Sequence, residues 1–232
     1  MTPIHAHPSA HFDARPDGQA VDILLLHYTG MRSAAEALDR LCDPTAKVSA
    51  HYCVDEDGTI YRLVDESRRA WHAGVAAWSG ASDINARSIG IEIVNPGHEF
   101  GYRAFPAPQV QALIALCREV LSRHPIPAAR VLGHSDVAPL RKDDPGELFP
   151  WHRLAEAGIG LWPQDASPAA PDPGQARRDL AAFGYGYLEQ DFEAVVRAFQ
   201  RHFRPQAVRG GLDEESMGRM KALLGPRIEA DR

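Results

Sequence analysis

Residues 21–30 read VDILLLHYTG, and this stretch decides the fold. The apolar run Ile23 to Leu26 is continuous, not alternating, and breaks off into His27, Tyr28, Thr29 and Gly30. A strand that is apolar on both faces must be covered on both faces, which makes it a central strand between helical layers. The chain therefore reads as α/β. The polar residues that end the run are delivered to one edge of a sheet.

Working outward, SAAEALDRLC begins with a capping box, Ser33 with Glu36, and continues as a helix to Leu41. In KVSAHYCVDEDGTIYRLV (Lys47 to Val64), two strands meet at Asp57-Gly58, a hairpin signal. RSIGIEIVNPG sets Ile89, Ile91 and Ile93 against Gly90, Glu92 and Val94, so Glu92 points away from the isoleucines. From Pro106 to His124, apolar residues recur at helical spacing behind an entry proline. RVLGHSD (Arg130 to Asp136) is a further short strand running into a loop. These elements predict a mixed central sheet flanked by helices over residues 21–162.

Residues 1–20 read as an N-terminal arm, rich in proline and holding His5, His7 and His11, expected to pack loosely. Residues 163–175 contain the aperiodic QDASPAAPDPGQ and read as a linker. Over 176–232 the strands disappear. Helices are expected at about 175–183, 190–202 and 213–224, with Leu188, Phe192, Val195, Val196, Phe199 and Phe203 on one stripe. This predicts a small all-α domain of three helices.

The net charge of -6 gives no basic footprint for nucleic acid and no polybasic membrane patch. Cys42, Cys53 and Cys117 are too scattered for a disulfide framework, and Cys53 is expected buried and inert. The first twenty residues show neither a basic n-region nor an apolar h-region, and the run at Ile23 is too short to span a bilayer. A cytoplasmic location is the expectation, with a periplasmic one the alternative if the sequence has been trimmed of a leader.

Three residues with metal-binding chemistry sit where strands feed loops: His27, His134 in GHSD, and Asp144 in KDDPGELFPW. A hydrolytic zinc site uses three such ligands and leaves a position open. Glu92 is placed to act as a general base. Lys142, two residues from Asp144, can neutralise an oxyanion. Pro145-Gly146 would fix the loop that presents both. Spacing alone leaves open whether each histidine is a ligand or a structural group, since no short metal signature such as H-E-x-x-H is present.

LLLHYTG, SAHYCVDEDGTIYRLV, AWHAG, SIGIEIVNPG and VLGHSDVAPLRKDDPGELFPW occur in this order. Together they resemble the type 2 N-acetylmuramoyl-L-alanine amidase family, which shares its fold with the peptidoglycan recognition proteins. The resemblance covers Val21 to Trp162. It implies Zn2+ held by His27, His134 and Asp144, with Glu92 and Lys142 catalytic and Asp143 at a variable position. It implies hydrolysis of the amide between N-acetylmuramic or anhydro-muramic acid and L-alanine in muropeptides, during cell-wall turnover or recycling. The C-terminal helices resemble an appended peptidoglycan-binding module, which would point towards the periplasmic alternative; whether they bind glycan or cap the first domain stays open, as does the oligomeric state.

Five further residues are candidates for substrate contact. His51 borders the expected cleft or packs on the sheet. Trp71 offers a face to a sugar, and His72 an imidazole to a peptide carbonyl. Asn85 and Arg87 precede the Glu92 strand, where the Arg87 fork suits a stem-peptide carboxylate. Asp136 orients His134 or serves as a turn residue. His98, His124, His152 and His202 carry no role by sequence. The rival readings are a non-catalytic peptidoglycan-recognition module and a zinc peptidase cutting within the stem peptide.

Overall fold

The computed structural model describes residues 3–230. Its strands are β1 (Ile4–Ala6), β2 (Phe12–Ala14), β3 (Ile23–Tyr28), β4 (Tyr52–Val54), β5 (Ile60–Arg62), β6 (Arg68–Ala70), β7 (Ser88–Ile93) and β8 (Val131–Gly133). The main sheet has the order β1-β5-β4-β7-β3-β8. β3 lies at its interior, parallel to both β7 and β8, and β4 and β5 form the expected antiparallel hairpin. β2 and β6 pair separately.

The helices are α1 (Ala34–Cys42), α2 (Ile84–Arg87), α3 (Gly97–Phe100), α4 (Ala107–Arg123), α5 (His134–Val137), α6 (Trp151–Glu156), α7 (Pro173–Phe183), α8 (Phe192–Phe203) and α9 (Glu214–Ala230). Local chemistry starts several of them. The Ser33 hydroxyl accepts from the Glu36 backbone N–H at the head of α1. Asp172 and Asp191 cap α7 and α8 by accepting from Gln175 N and Ala194 N.

The alternation of β3 sorts its side chains between two cores. Leu24 and Leu26 join Ile89, Ile91 and Ile93 beneath α4, against Val110, Leu113, Leu116, Cys117 and Val120. Ile23 and Leu25 join Leu132 on the other face, beneath Phe183, Val196, Phe199 and Phe203 of α7 and α8. Burying each such side chain stabilises the fold by roughly 1.5–3 kcal/mol. The three expected helices are therefore present, but they share one apolar cluster with the sheet and cover its second face.

The N-terminal segment differs from the expectation of a loose arm. β1 pairs in parallel with β5, and β2 with β6. Arg15 donates to the backbone carbonyls of Glu66, Asn85, Ala86 and Ser88. His11 is buried, with its Nε2 2.7 Å from Asp43 O. Composition misled because a few well-placed side chains tie down a segment that has no periodicity of its own.

Glu66 accepts from Tyr52 Oη (2.8 Å) and from Arg123 (2.7 and 3.0 Å), and lies 2.8 Å from His124 Nε2. Burial disfavours its charge, but the bonds from Arg123, Tyr52 and His124 outweigh burial and hold the carboxyl down to about 2, against an ordinary 4.5. The stabilisation is fully present above about pH 4.5 and is lost as the pH falls towards 2. Urea titrations of wild type and Glu66→Gln should show the variant less stable at pH 7. The gap between the two midpoints should close between pH 4.5 and 2.

Candidate metal centre

In the parallel register of β3 and β7, His27 stands opposite Glu92. β8 lies on the other side of β3 and ends at Gly133, so His134 opens the next turn at the same end of the sheet. The loop after it returns Asp144, whose carbonyl accepts from Ser135 N at 2.9 Å. Pro145-Gly146 is fixed beneath Tyr102, whose hydroxyl donates to Pro145 O (2.7 Å) and accepts from Leu148 N (3.0 Å). Gly146 has φ +84°, and a Cβ there would lie 2.3 Å from Tyr102 Oη, so no other residue fits.

His27 Nδ1, His134 Nδ1 and Asp144 Oδ2 converge, at 3.0 Å between the two nitrogens and 3.1 Å from each nitrogen to the oxygen. All three side chains are buried. Tetrahedral zinc with bonds of ~2.0–2.1 Å requires donor separations of about 3.3 Å, so this set fits with a few tenths of an ångström of expansion.

Hydrogen bonding fixes which nitrogens are bare. The Ser88 hydroxyl donates to Ile84 O at 2.7 Å, so it accepts from His72 Nε2 at 3.2 Å. His72 Nδ1 then carries no proton and accepts from His27 Nε2 at 3.0 Å. His27 Nδ1 is left with its lone pair facing the centre. His134 Nε2 donates to Ala73 O at 3.0 Å, which bares its Nδ1 in the same way. Burial, and then the neighbouring His134, push His27 down to about 4. Burial and the surrounding histidines push His72 well down too. Both rings are neutral at pH 7, as metal ligation requires. Two lone pairs and a carboxylate oxygen facing one another form a set that could hold a metal ion.

A cleft of about 270 Å³ opens onto the three donors and is also lined by Glu92, Lys142, His72, Tyr28 and Gly30. Glu92 Oε2 is buried with no partner among the described residues. Burial, reinforced by Asp144, raises the Glu92 carboxyl well above its usual range.

The family model described as N-acetylmuramoyl-L-alanine amidase matches residues 17–147, more than half of the chain. The chain belongs to the N-acetylmuramoyl-L-alanine amidase family. The amidase is 37% identical to AmiD of Escherichia coli, over 91% of this chain and 87% of that protein. The solved complex of AmiD with anhydro-N-acetylmuramic acid-L-Ala-D-gamma-Glu-L-Lys superposes with TM-score 0.80 at 35% identity, covering 91% of this chain and 92% of that one. AmpDh3 from Pseudomonas aeruginosa, in complex with anhydromuramic pentapeptide, gives TM-score 0.83 at 34% identity, with 94% and 96% covered. The 1,6-anhydro-N-acetylmuramyl-L-alanine amidase AmpD of Escherichia coli is 35% identical over 63% of this chain and 87% of that protein.

Of the residues expected to touch substrate, the amidase brings only His72 to the cleft, where it aligns His27. Its ring fits because Gly90 has no side chain; a Cβ there would meet His72 at 2.5 Å. Asn85 acts one step behind, its Oδ1 accepting from His72 N and Ala73 N at 3.1 and 2.8 Å. His51 does not border the cleft. It is fully buried, accepting from Gly90 N at Nδ1 and donating from Nε2 to Arg68 O. Trp71 faces the N-terminal segment, its Nε1 donating to Asp13 Oδ2 at 2.7 Å beside the His11 ring. Arg87 pairs with Asp22 at the start of β3, the opposite end of the strand from His27.

Sequence reasoning missed the support behind His134. Asp136 does not touch the His134 ring. Its Oδ2 accepts from Gly133 N (2.7 Å) and lies 2.7 Å from His202 Nδ1, and its Oδ1 accepts from Tyr185 Oη (2.6 Å). His202 is stacked on Trp151 at 3.7 Å and on Phe203 at 3.8 Å. The C-terminal helices thus brace the turn that carries His134, one of the three candidate metal donors. A polar residue at helical spacing within an apolar stripe, His202 three residues after Phe199 in α8, was the available signal.

Both supports are testable by chelator competition. His72→Ala should weaken divalent-metal affinity roughly 10- to 100-fold, as loss of a ligand-orienting hydrogen bond does elsewhere. Tyr185→Phe should weaken it by a smaller factor while circular dichroism stays unchanged.

Proposed function

We propose that His27, His134 and Asp144 hold a zinc ion, and that Glu92 and Lys142 carry the hydrolysis of the lactyl–L-alanine amide of muropeptides, including anhydro-muropeptides. The observation that carries this reading is the register that sets a partnerless Glu92 oxygen beside two bared Nδ1 atoms and the Asp144 carboxylate. When bound, zinc supplies a Lewis acid that polarises the scissile carbonyl and makes water acidic enough to ionise near neutral pH.

The chain's own residues do the rest. Glu92 takes the proton from the attacking water, since it lines the same cleft as the three donors and its Oε2 has no partner among the described residues. It then returns that proton to the nitrogen of the departing L-alanine. Lys142 lines the cleft and neutralises the negative charge that develops on the carbonyl oxygen. His72, Asn85 and Ala73 hold the two imidazoles in the only tautomers that leave Nδ1 available. The substrates named in the AmiD and AmpDh3 complexes support an anhydro-muramyl peptide as the ligand of this cleft.

The deciding experiment is mass spectrometry of an anhydro-muropeptide incubated with the zinc-loaded protein. The expected products are the intact sugar and the whole stem peptide with a free L-alanine amine. Glu92→Gln should lower the rate roughly 10²- to 10⁴-fold with binding retained. Cleavage inside the stem peptide would replace this reading with a peptidase. Hydrolysis undiminished in Glu92→Gln would remove Glu92 as the base.

A further inference from the structure

Lys142 lines two depressions. One is the cleft described above; the other, of about 530 Å³, lies between the Pro139–Asp143 loop and helix α8. Asp191, Ala194, Arg197 and Arg201 form its helical wall, spaced three or four apart on one face of α8. The ionisable residues around it are Arg141, Lys142, Arg197 and Arg201 against Asp143 and Asp191. Four cations face two anions, in a chain whose net charge is -6.

These cations are not equally free. Arg141 is turned inward, donating to Val75 O and Ala73 O. Arg201 donates one terminal nitrogen to Asp143 at 2.5 Å, and the Asp143 side chain is 51% exposed. Arg201 Nε has no partner among the described residues. Among the described residues Arg197 is paired only with Glu193, itself 65% exposed. Both carboxylate partners are open to solvent, so a ligand carboxylate can take their place on the guanidinium groups. A guanidinium binds a carboxylate through parallel N–H groups, and because Arg201 Nε is buried a ligand carboxylate would meet Arg201 at its terminal nitrogens, in the place of Asp143.

We propose that this groove receives a free carboxylate of the stem peptide, with Arg201 as its main partner and Arg197 as the second. The proposal rests on the amidase reading and deepens it. The sugar of an anhydro-muropeptide carries hydroxyls and an acetamide but no free carboxylate, because its lactyl carboxyl is consumed in the scissile amide. The stem peptide does carry them. A γ-linked D-Glu leaves its α-carboxylate one residue beyond L-alanine, and the last residue ends in another. A cationic groove that starts at Lys142 therefore fixes the direction of the substrate, peptide across α8. The C-terminal helices become part of the specificity site, in addition to bracing the metal turn.

The test is calorimetric binding of the product peptide L-Ala-D-γ-Glu-L-Lys to the zinc-loaded protein, beside the same peptide with both carboxylates amidated. Wild type should bind the acid roughly tenfold more tightly than the amide. Arg201→Gln should abolish that preference and leave the Kd of the amidated peptide unchanged; Arg201→Lys should restore part of it. Arg197→Gln, at a more exposed position, should reduce the preference about threefold and carries the test if Arg201→Gln does not fold. Equal Kd values for acid and amide in wild type would overturn the proposal. So would an equal loss for both peptides in the variants, which would mark Arg201 and Arg197 as structural. Peptide binding needs no turnover, so failure of the amidase reading would appear separately, as an uncleaved muropeptide.

Discussion

The parallel register of β3 against β7 is the constraint on which the rest depends. It sets His27 beside Glu92 and leaves both on the face that carries the His72 ring. Sliding β7 by one residue against β3 would turn Glu92 into the α4 core and bring an isoleucine to the cleft. The register is secured from below. Leu24, Leu26, Ile89, Ile91 and Ile93 can be buried under α4 only in this phase. The hydrophobic effect, acting on the opposite face, positions the polar site.

A buried polar site of this kind is stable only if each group is satisfied or faces a cation. The chain from Ile84 O through Ser88, His72 and His27 meets that demand while setting the tautomer of the ring that faces the centre. Ala73 O does the same for His134. The residual imbalance, two lone pairs and a carboxylate at 3.0–3.1 Å, is concentrated at one point, which is where a metal would bind. Glu92 carries the other unsatisfied oxygen, at the edge of the same cleft.

The C-terminal helices are integrated with this centre. They cover the second face of the sheet through Phe183, Val196, Phe199 and Phe203. Through Tyr185 and His202 they hold Asp136, two residues from His134. The AmpD match spans 63% of this chain, whereas the AmiD match spans 91% and so takes in these helices. In this chain they stabilise the sheet and complete the surroundings of the site.

The sequence by itself determined the elements and the candidate site residues. The apolar run at Ile23 to Leu26, the alternation that isolates Glu92, the Asp57-Gly58 hairpin and the stripe of α8 are properties of neighbouring residues. Periodicity and capping act over a few positions, so they are legible along the chain. The strand ends that carry His27, His134 and Glu92 can be read the same way, but spacing left the roles of these residues, Asp144 and Lys142 open, and only the resemblance of five motifs to the amidase family marked them as the candidate site. Tertiary structure decided the roles of the other candidates. His72 became the hydrogen-bond partner of His27, His51 a buried group bonded to the backbone, Trp71 the partner of Asp13 and Arg87 the partner of Asp22, while Arg15 tied an apparent arm to the backbone around β7. The physical reason is separation: His72 meets His27 across 45 residues, and His202 meets Asp136 across 66. Which polar side chain finds which partner depends on strand register and on the layer packed above, and no local pattern encodes either.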